Sequence, residues 1–157
     1  MTVPKLYILL LLVLAFGTMT ATPAVAEIFG CPTDQVGPNP RKPVTKPIGQ
    51  IESQTHFAIA LGEHAMNAKG WNFRARSILF GAHSAGPVHS HARQPEFVMV
   101  KHGTIVLEDT HCKVPIVLQE GQVYHAGAHN EHWGVNPTGN PVIVYIVDLL
   151  DDKELAN

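Results

Sequence analysis

The chain is short of net charge, of cysteine and of long apolar runs, and each shortage narrows what it can be. Its 11 basic residues stand against 13 acidic ones, and nowhere do lysine and arginine gather into a stripe. A mildly acidic chain without a basic face suits neither nucleic acid nor an anionic membrane surface, so neither is expected as a partner. The longest apolar run, Leu6 to Phe16, covers about eleven residues, against roughly 20 for a bilayer span. With Lys5 before it and Ala24-Val25-Ala26 after it, the run reads as a secretory signal cleaved after Ala26. An uncleaved anchor is the alternative, and a lipoprotein reading through Cys31 is weaker, because Phe29 stands where a small residue is wanted. Cys31 and Cys112 are the only cysteines and neither belongs to a CxxC pair, which argues against a thiolate metal site. In an oxidising compartment they would bridge an N-terminal arm to the domain; two independent thiols are the other reading. Internal repeats and helical periodicity are also missing.

Removal of residues 1–26 leaves about 130 residues, enough for one domain with a core. All ten histidines lie in this part, a high share that points to metal or proton chemistry. Residues 27–50 carry five prolines between Cys31 and Pro47 and read as an extended arm. Residues 51–150 read as the domain and 151–157 as a tail, with a short terminal helix in the acidic stretch after Asp148. Strands are expected at His56–Leu61, Trp71–Phe80, His89 onward, Glu96–Val100, Ile105–Leu107, Val114–Leu118, Val123–His125, His132–Asn136 and Pro141–Val147. Pro115 demotes one of them to an edge, and Lys101-His102-Gly103-Thr104 reads as a hairpin turn with glycine left-handed. Short strands separated by Gly, Pro and Asn turns describe an all-β barrel or sandwich.

One stretch organises the rest: His89 to Gly103, with His89 and His91 on one face of a strand and Glu96 opening the next apolar run. Two imidazoles and a carboxylate are an incomplete metal-ligand set, and His132 is the candidate to complete it. Burying such groups in an apolar barrel costs several kcal/mol unless each finds a partner, and one divalent cation satisfies them together.

These residues resemble the two motifs of the cupin superfamily. The first motif has the form G-x5-H-x-H-x3,4-E-x6-G, met by His89, His91, Glu96 and Gly103, with His83 in the place of the opening glycine. The second has the form G-x5-P-x-G-x2-H-x3-N, met by Gly121, His132 and Asn136, with Gly127 in the place of proline and His129 in that of the second glycine. The resemblance implies a double-stranded β-helix (jelly-roll) barrel, a homodimer, and one divalent transition metal on His89, His91, Glu96 and His132. Iron or manganese is what the family most often uses; an oxidising compartment shifts weight to manganese, copper, nickel or zinc, all of which accept imidazole and carboxylate. Three imidazoles and one carboxylate leave positions open for water or substrate, the mark of a reactive centre.

Around the set, His125, His129 and Tyr124 are candidate catalytic groups, as proton carriers or donors near the metal. Tyr124 and His125 are neighbours in a strand, so only one faces inward. Arg74 and Arg76 share a strand face with Ile78 and Phe80; if that face lined a pocket they would grip an anion, but a solvated outer face is the preferred reading. Trp133 reads as packing, and His56, His64, His102 and His111 as surface or turn residues.

Three functions fit: an oxygen-activating enzyme, a metal-dependent lyase or isomerase, and a non-catalytic binder of a small ligand or metal. The complete ligand set favours an enzyme acting on a small-molecule substrate, secreted or periplasmic, with dioxygenase-type chemistry in front by the resemblance.

Overall fold

The computed structural model describes residues 28–128 and 131–155; the expected leader at 1–26 and the candidate His129 lie outside them. Its strands run β1 (Ile28–Phe29), β2 (Ile51–Ala60), β3 (Trp71–Phe80), β4 (Ser84–Ala85), β5 (His89–Ser90), β6 (Glu96–His102), β7 (Thr104–Asp109), β8 (Ile116–Gln119), β9 (Val123–Ala126), β10 (Glu131–Asn136) and β11 (Val142–Asp151), followed by helix α1 (Asp152–Leu155). One sheet has the order β1-β9-β6-β11-β3-β2; the other has the order β4-β10-β7-β8, with β5 also paired to β10. Apart from the parallel contact of β1 with β9, the pairings are antiparallel. The expected jelly-roll barrel is what forms.

Alternation decides which side chains enter the barrel. On β6, Glu96, Val98 and Val100 are buried while Phe97 and Met99 face out. On β11, Val142, Val144, Ile146 and then Asp148 take the buried positions. Ile105 and Leu107 of β7 and Leu118 of β8 close the core from the opposite sheet. Apolar side chains at period two on both sheets are what a two-layer barrel needs, and the two carboxylates in those rows are exceptions that call for partners.

Several expectations are corrected. The chain does turn at Gly103, whose φ of 85° is left-handed, but β6 and β7 lie in different sheets, so the turn is a barrel corner rather than a hairpin. A Cβ there would come within 3.1 Å of Val142 Cγ2. β2 is longer than expected and starts at Ile51. β11 continues through Asp148 to Asp151, so the helix begins only at Asp152. Pro115 falls just before β8, which is an edge strand as its presence requires.

The arm is extended as its prolines dictate, and it is pinned. Gly37 and Asn39 donate backbone hydrogen bonds to His111 and Thr110, and Ile48 exchanges a pair with Ala85. Arg41 forms an ion pair with Glu108. Cys31 and Cys112 form a disulfide across 81 residues of sequence. Closing a loop of that length is worth up to about 4 kcal/mol in the chain-entropy model. Reduction should therefore lower the melting temperature by several degrees, while metal content, measured on the same sample, stays constant.

Candidate metal centre

Short strand β5 is paired to β10 so that His89 stands opposite His132. That single ladder step brings two imidazoles to one level although 43 positions separate them in the chain. His91 follows β5 with the parity of His89, and Glu96 enters from the inner face of β6. The three ring centroids lie 4.9, 4.7 and 4.7 Å apart. One ligand atom from each of the four residues falls within 4.8 Å of all the others, so the group could hold a metal ion.

The hydrogen bonds fix which atoms are free to do so. Nδ1 of His89 lies 3.0 Å from the Pro87 carbonyl, and Nδ1 of His91 lies 2.8 Å from that of Gln94. A carbonyl can only accept, so both Nδ1 atoms carry the proton and both Nε2 lone pairs are left to point elsewhere. Nε2 of His91 is buried without a hydrogen-bond partner among the described residues. It faces Glu96 Oε1 at 3.7 Å, and His132 Nε2 faces the same oxygen at 3.9 Å. These gaps are too long for hydrogen bonds. Neutral imidazoles with orphaned lone pairs around an open carboxylate oxygen form the donor set that suits a divalent transition metal.

Burial, then repulsion from His89 and His91, holds the His132 imidazole well below its ordinary 6.5. Burial also lowers His89, against the opposing pull of the Pro87 carbonyl and Glu96. Both rings are therefore neutral at pH 7, the form that donates a lone pair. The unfolded chain takes up these protons near pH 6.5 and the folded one does not, so this stability is complete above that range and is lost as pH falls below it. Metal-free protein should accordingly melt at lower temperature at pH 5 than at pH 7.5 in a calorimetric pH series, and bound metal should be released over the same acid range as protons displace it.

Around the set lies a charge network that reading the sequence did not foresee. In register across three strands, Asp148 of β11 sits between Arg74 of β3 and Glu96 of β6. Arg74 grips Asp148 with two hydrogen bonds of 3.0 and 2.7 Å. Arg76 Nη2 is shared between Glu96 Oε2 at 3.2 Å and Asp148 Oδ2 at 3.4 Å. The preferred solvated reading of Arg74 and Arg76 is thus overturned: their parity with Ile78 and Phe80 carries them inward. Asp148, taken as the start of an acidic tail, is 3% exposed. In the structure Asp148 continues the buried parity of Val142, Val144 and Ile146, a parity the uniformly apolar run before it does not display in sequence.

A cavity of about 230 Å³ opens on the ligand set. Ile78, Phe80, Val98, Ile105, Leu107 and Val144 form much of its wall; Arg76, His89, Glu96 and His132 supply its titratable groups. His89 is the exposed member of the ligand set and the other three are buried, so solvent reaches the set from the His89 side.

Two of the candidate catalytic groups do not reach this cavity. Tyr124 is the inward member of its pair, but its hydroxyl donates to Asp109 Oδ2 at 3.2 Å. Burial first, then Asp109, pushes its phenol far above the ordinary value of 10.0. It cannot serve as a base, and instead packs its ring against the His132 imidazole. His125 has the opposite parity and stacks on Phe97 on the outer face. Of the other side chains, Trp133 is buried as expected.

A family model described as a cupin domain matches residues 78–148, which span the whole ligand set. That segment is a cupin domain. Solved structures agree on the fold. The cupin is similar to a predicted oxalate decarboxylase from Thermotoga maritima (15% identity, 78% of this chain and 99% of that one, TM-score 0.52). It is also similar to KdgF from Halomonas sp. (16%, 66% and 83%, TM-score 0.51) and to the Schizosaccharomyces pombe Cnp3 cupin domain (14%, 71% and 73%, TM-score 0.51). No curated protein matches the sequence.

One departure from the cupin motifs has a physical account. His83, in place of the opening glycine, has a left-handed backbone with φ of 53°, a conformation that glycine adopts freely and histidine more readily than most residues. Its ring is tied to the Pro137 carbonyl at 3.1 Å. The closing Asn136 is fully buried. Its amide donates to the carbonyls of Phe80, Gly81 and Asn140 and its oxygen accepts from Thr138, so it binds the turn after β10 to the end of β3. In this cupin it is a brace.

Proposed function

We propose that this cupin is an exported, metal-dependent enzyme that oxidises a small molecule with dioxygen. One observation carries the choice of chemistry. Among the described residues, every titratable side chain lining the cavity is either Arg76 or a member of the ligand set. A lyase or isomerase needs a base beside the metal to remove a proton, and Tyr124 and His125, the candidates within the described residues, are turned away. Oxygen chemistry places fewer demands on the protein, because a bound metal with open positions supplies the electrophile and the meeting point. The chain's own part is to hold the donors, orient Glu96 through Arg76 and keep the substrate in a largely apolar chamber. The disulfide supports export, since such bonds persist in oxidising compartments.

Protein reconstituted with Fe(II) or Mn(II) should consume one dioxygen per molecule of a small enol or catechol substrate in an oxygen-electrode assay. Exchange of a substrate C–H for solvent deuterium with no oxygen uptake would instead identify an isomerase-type reaction.

A further inference from the structure

We propose that the cavity is specific for a small organic anion, with its acidic oxygens on the Arg76 side of the ligand set and an apolar body against the opposite wall. The inference rests on the metal reading for its charge count. Arg74 and Arg76 are balanced by Glu96 and Asp148, with which they form ion pairs. The imidazoles of His89 and His91 donate Nδ1–H to carbonyls, which leaves Nε2 on each as the atom that binds a metal, and an imidazole bound through a lone pair adds no charge. A divalent cation therefore leaves this end of the cavity net positive, even with the buried Asp109 behind Tyr124 counted. The remaining wall cannot compensate, because Ile78, Phe80, Val98, Ile105 and Leu107 offer only hydrocarbon. An uncompensated charge in such surroundings is strongly unfavourable, so the ligand supplies the balance as a monoanion or dianion.

Arg76 is placed to meet it. Its two carboxylate partners both engage Nη2, and the side chain keeps 20% exposure while lining the cavity. A guanidinium has five donors in a planar fork, so one edge can serve Glu96 while another meets the ligand. The cavity, about 230 Å³, has the scale of a small-molecule site.

The test uses the full mature chain loaded with Zn(II), which binds without turnover, and isothermal titration with benzoate and with its neutral counterpart benzamide. Metal content is measured on every sample. The expected result is benzoate binding at least about tenfold tighter than benzamide, the scale of a hydrogen bond to a charged group. In Arg76→Gln most of that preference should disappear while zinc stays near one per chain. Equal binding of the two probes by zinc-loaded protein overturns the proposal and leaves the metal reading standing. So does an Arg76→Gln protein that keeps the preference, or one that loses zinc, since Arg76 would then be engaged wholly in holding Glu96. Failure of the parent chain to take up zinc overturns both the metal reading and this proposal.

Discussion

His91→Ala will lose its metal. The parent protein, purified from its own compartment, should carry close to one first-row transition metal per chain by elemental analysis, and the variant a small fraction of that. The expectation follows from geometry. His91 is 2% exposed, its Nδ1 is tied to the Gln94 carbonyl, and its Nε2 has no hydrogen-bond partner among the described residues. Removing a group that merely supports a metal ligand already costs about 10–100-fold in affinity. Removal of a ligand itself should cost at least the upper end of that range. The fold should survive, because His91 lies outside the strands and its loss leaves the apolar rows of β6, β7 and β11 intact. Circular dichroism of the variant should match the metal-free parent. Equal metal in parent and variant would remove His91 from the centre.

Asp148→Ala should be the most destabilising single change in the network. Asp148 is the hub: it takes both hydrogen bonds from Arg74 and shares Arg76 with Glu96. Its carboxylate is almost fully buried, and the guanidiniums are largely so, with side-chain exposures of 15% and 20%. Removing one partner of a buried pair leaves the other charge uncompensated, at a cost of about 3–5 kcal/mol. Denaturant unfolding should show a loss of that size. A loss below about 1 kcal/mol, the scale of an exposed pair, would mean that water screens this end of the barrel. Replacing Arg74 and Asp148 together by apolar residues should cost much less than Asp148→Ala alone, because no charge is then stranded.

The ligand set was legible in the sequence because its spacing is local and chemical. His89, His91 and Glu96 lie within eight residues, and His132 and Asn136 follow a second short pattern. The barrel was legible from short strands set apart by Gly, Pro and Asn turns. What escaped was whatever depends on pairing between distant strands. Arg74 and Asp148 are direct partners in the β3–β11 register, but neither position announces that register, and an arginine in a strand is solvated more often than not. The corner at Gly103 was mistaken for a hairpin for the same reason: a left-handed glycine states that the chain turns, not which sheet it enters. Tyr124 and His125 were correctly seen as exclusive. Which of them faced inward depended on the inward parity of β9, and there Tyr124 found Asp109.

Everything rests on four side chains from β5, the turn after it, β6 and β10 sharing one cation. The most direct measurement is anomalous X-ray diffraction from crystals of the purified protein, recorded on both sides of the absorption edge of the metal that elemental analysis finds. The account predicts a single strong peak per chain enclosed by His89, His91, Glu96 and His132. A peak elsewhere, or no peak with His132 hydrogen-bonded away from the other three, would contradict it.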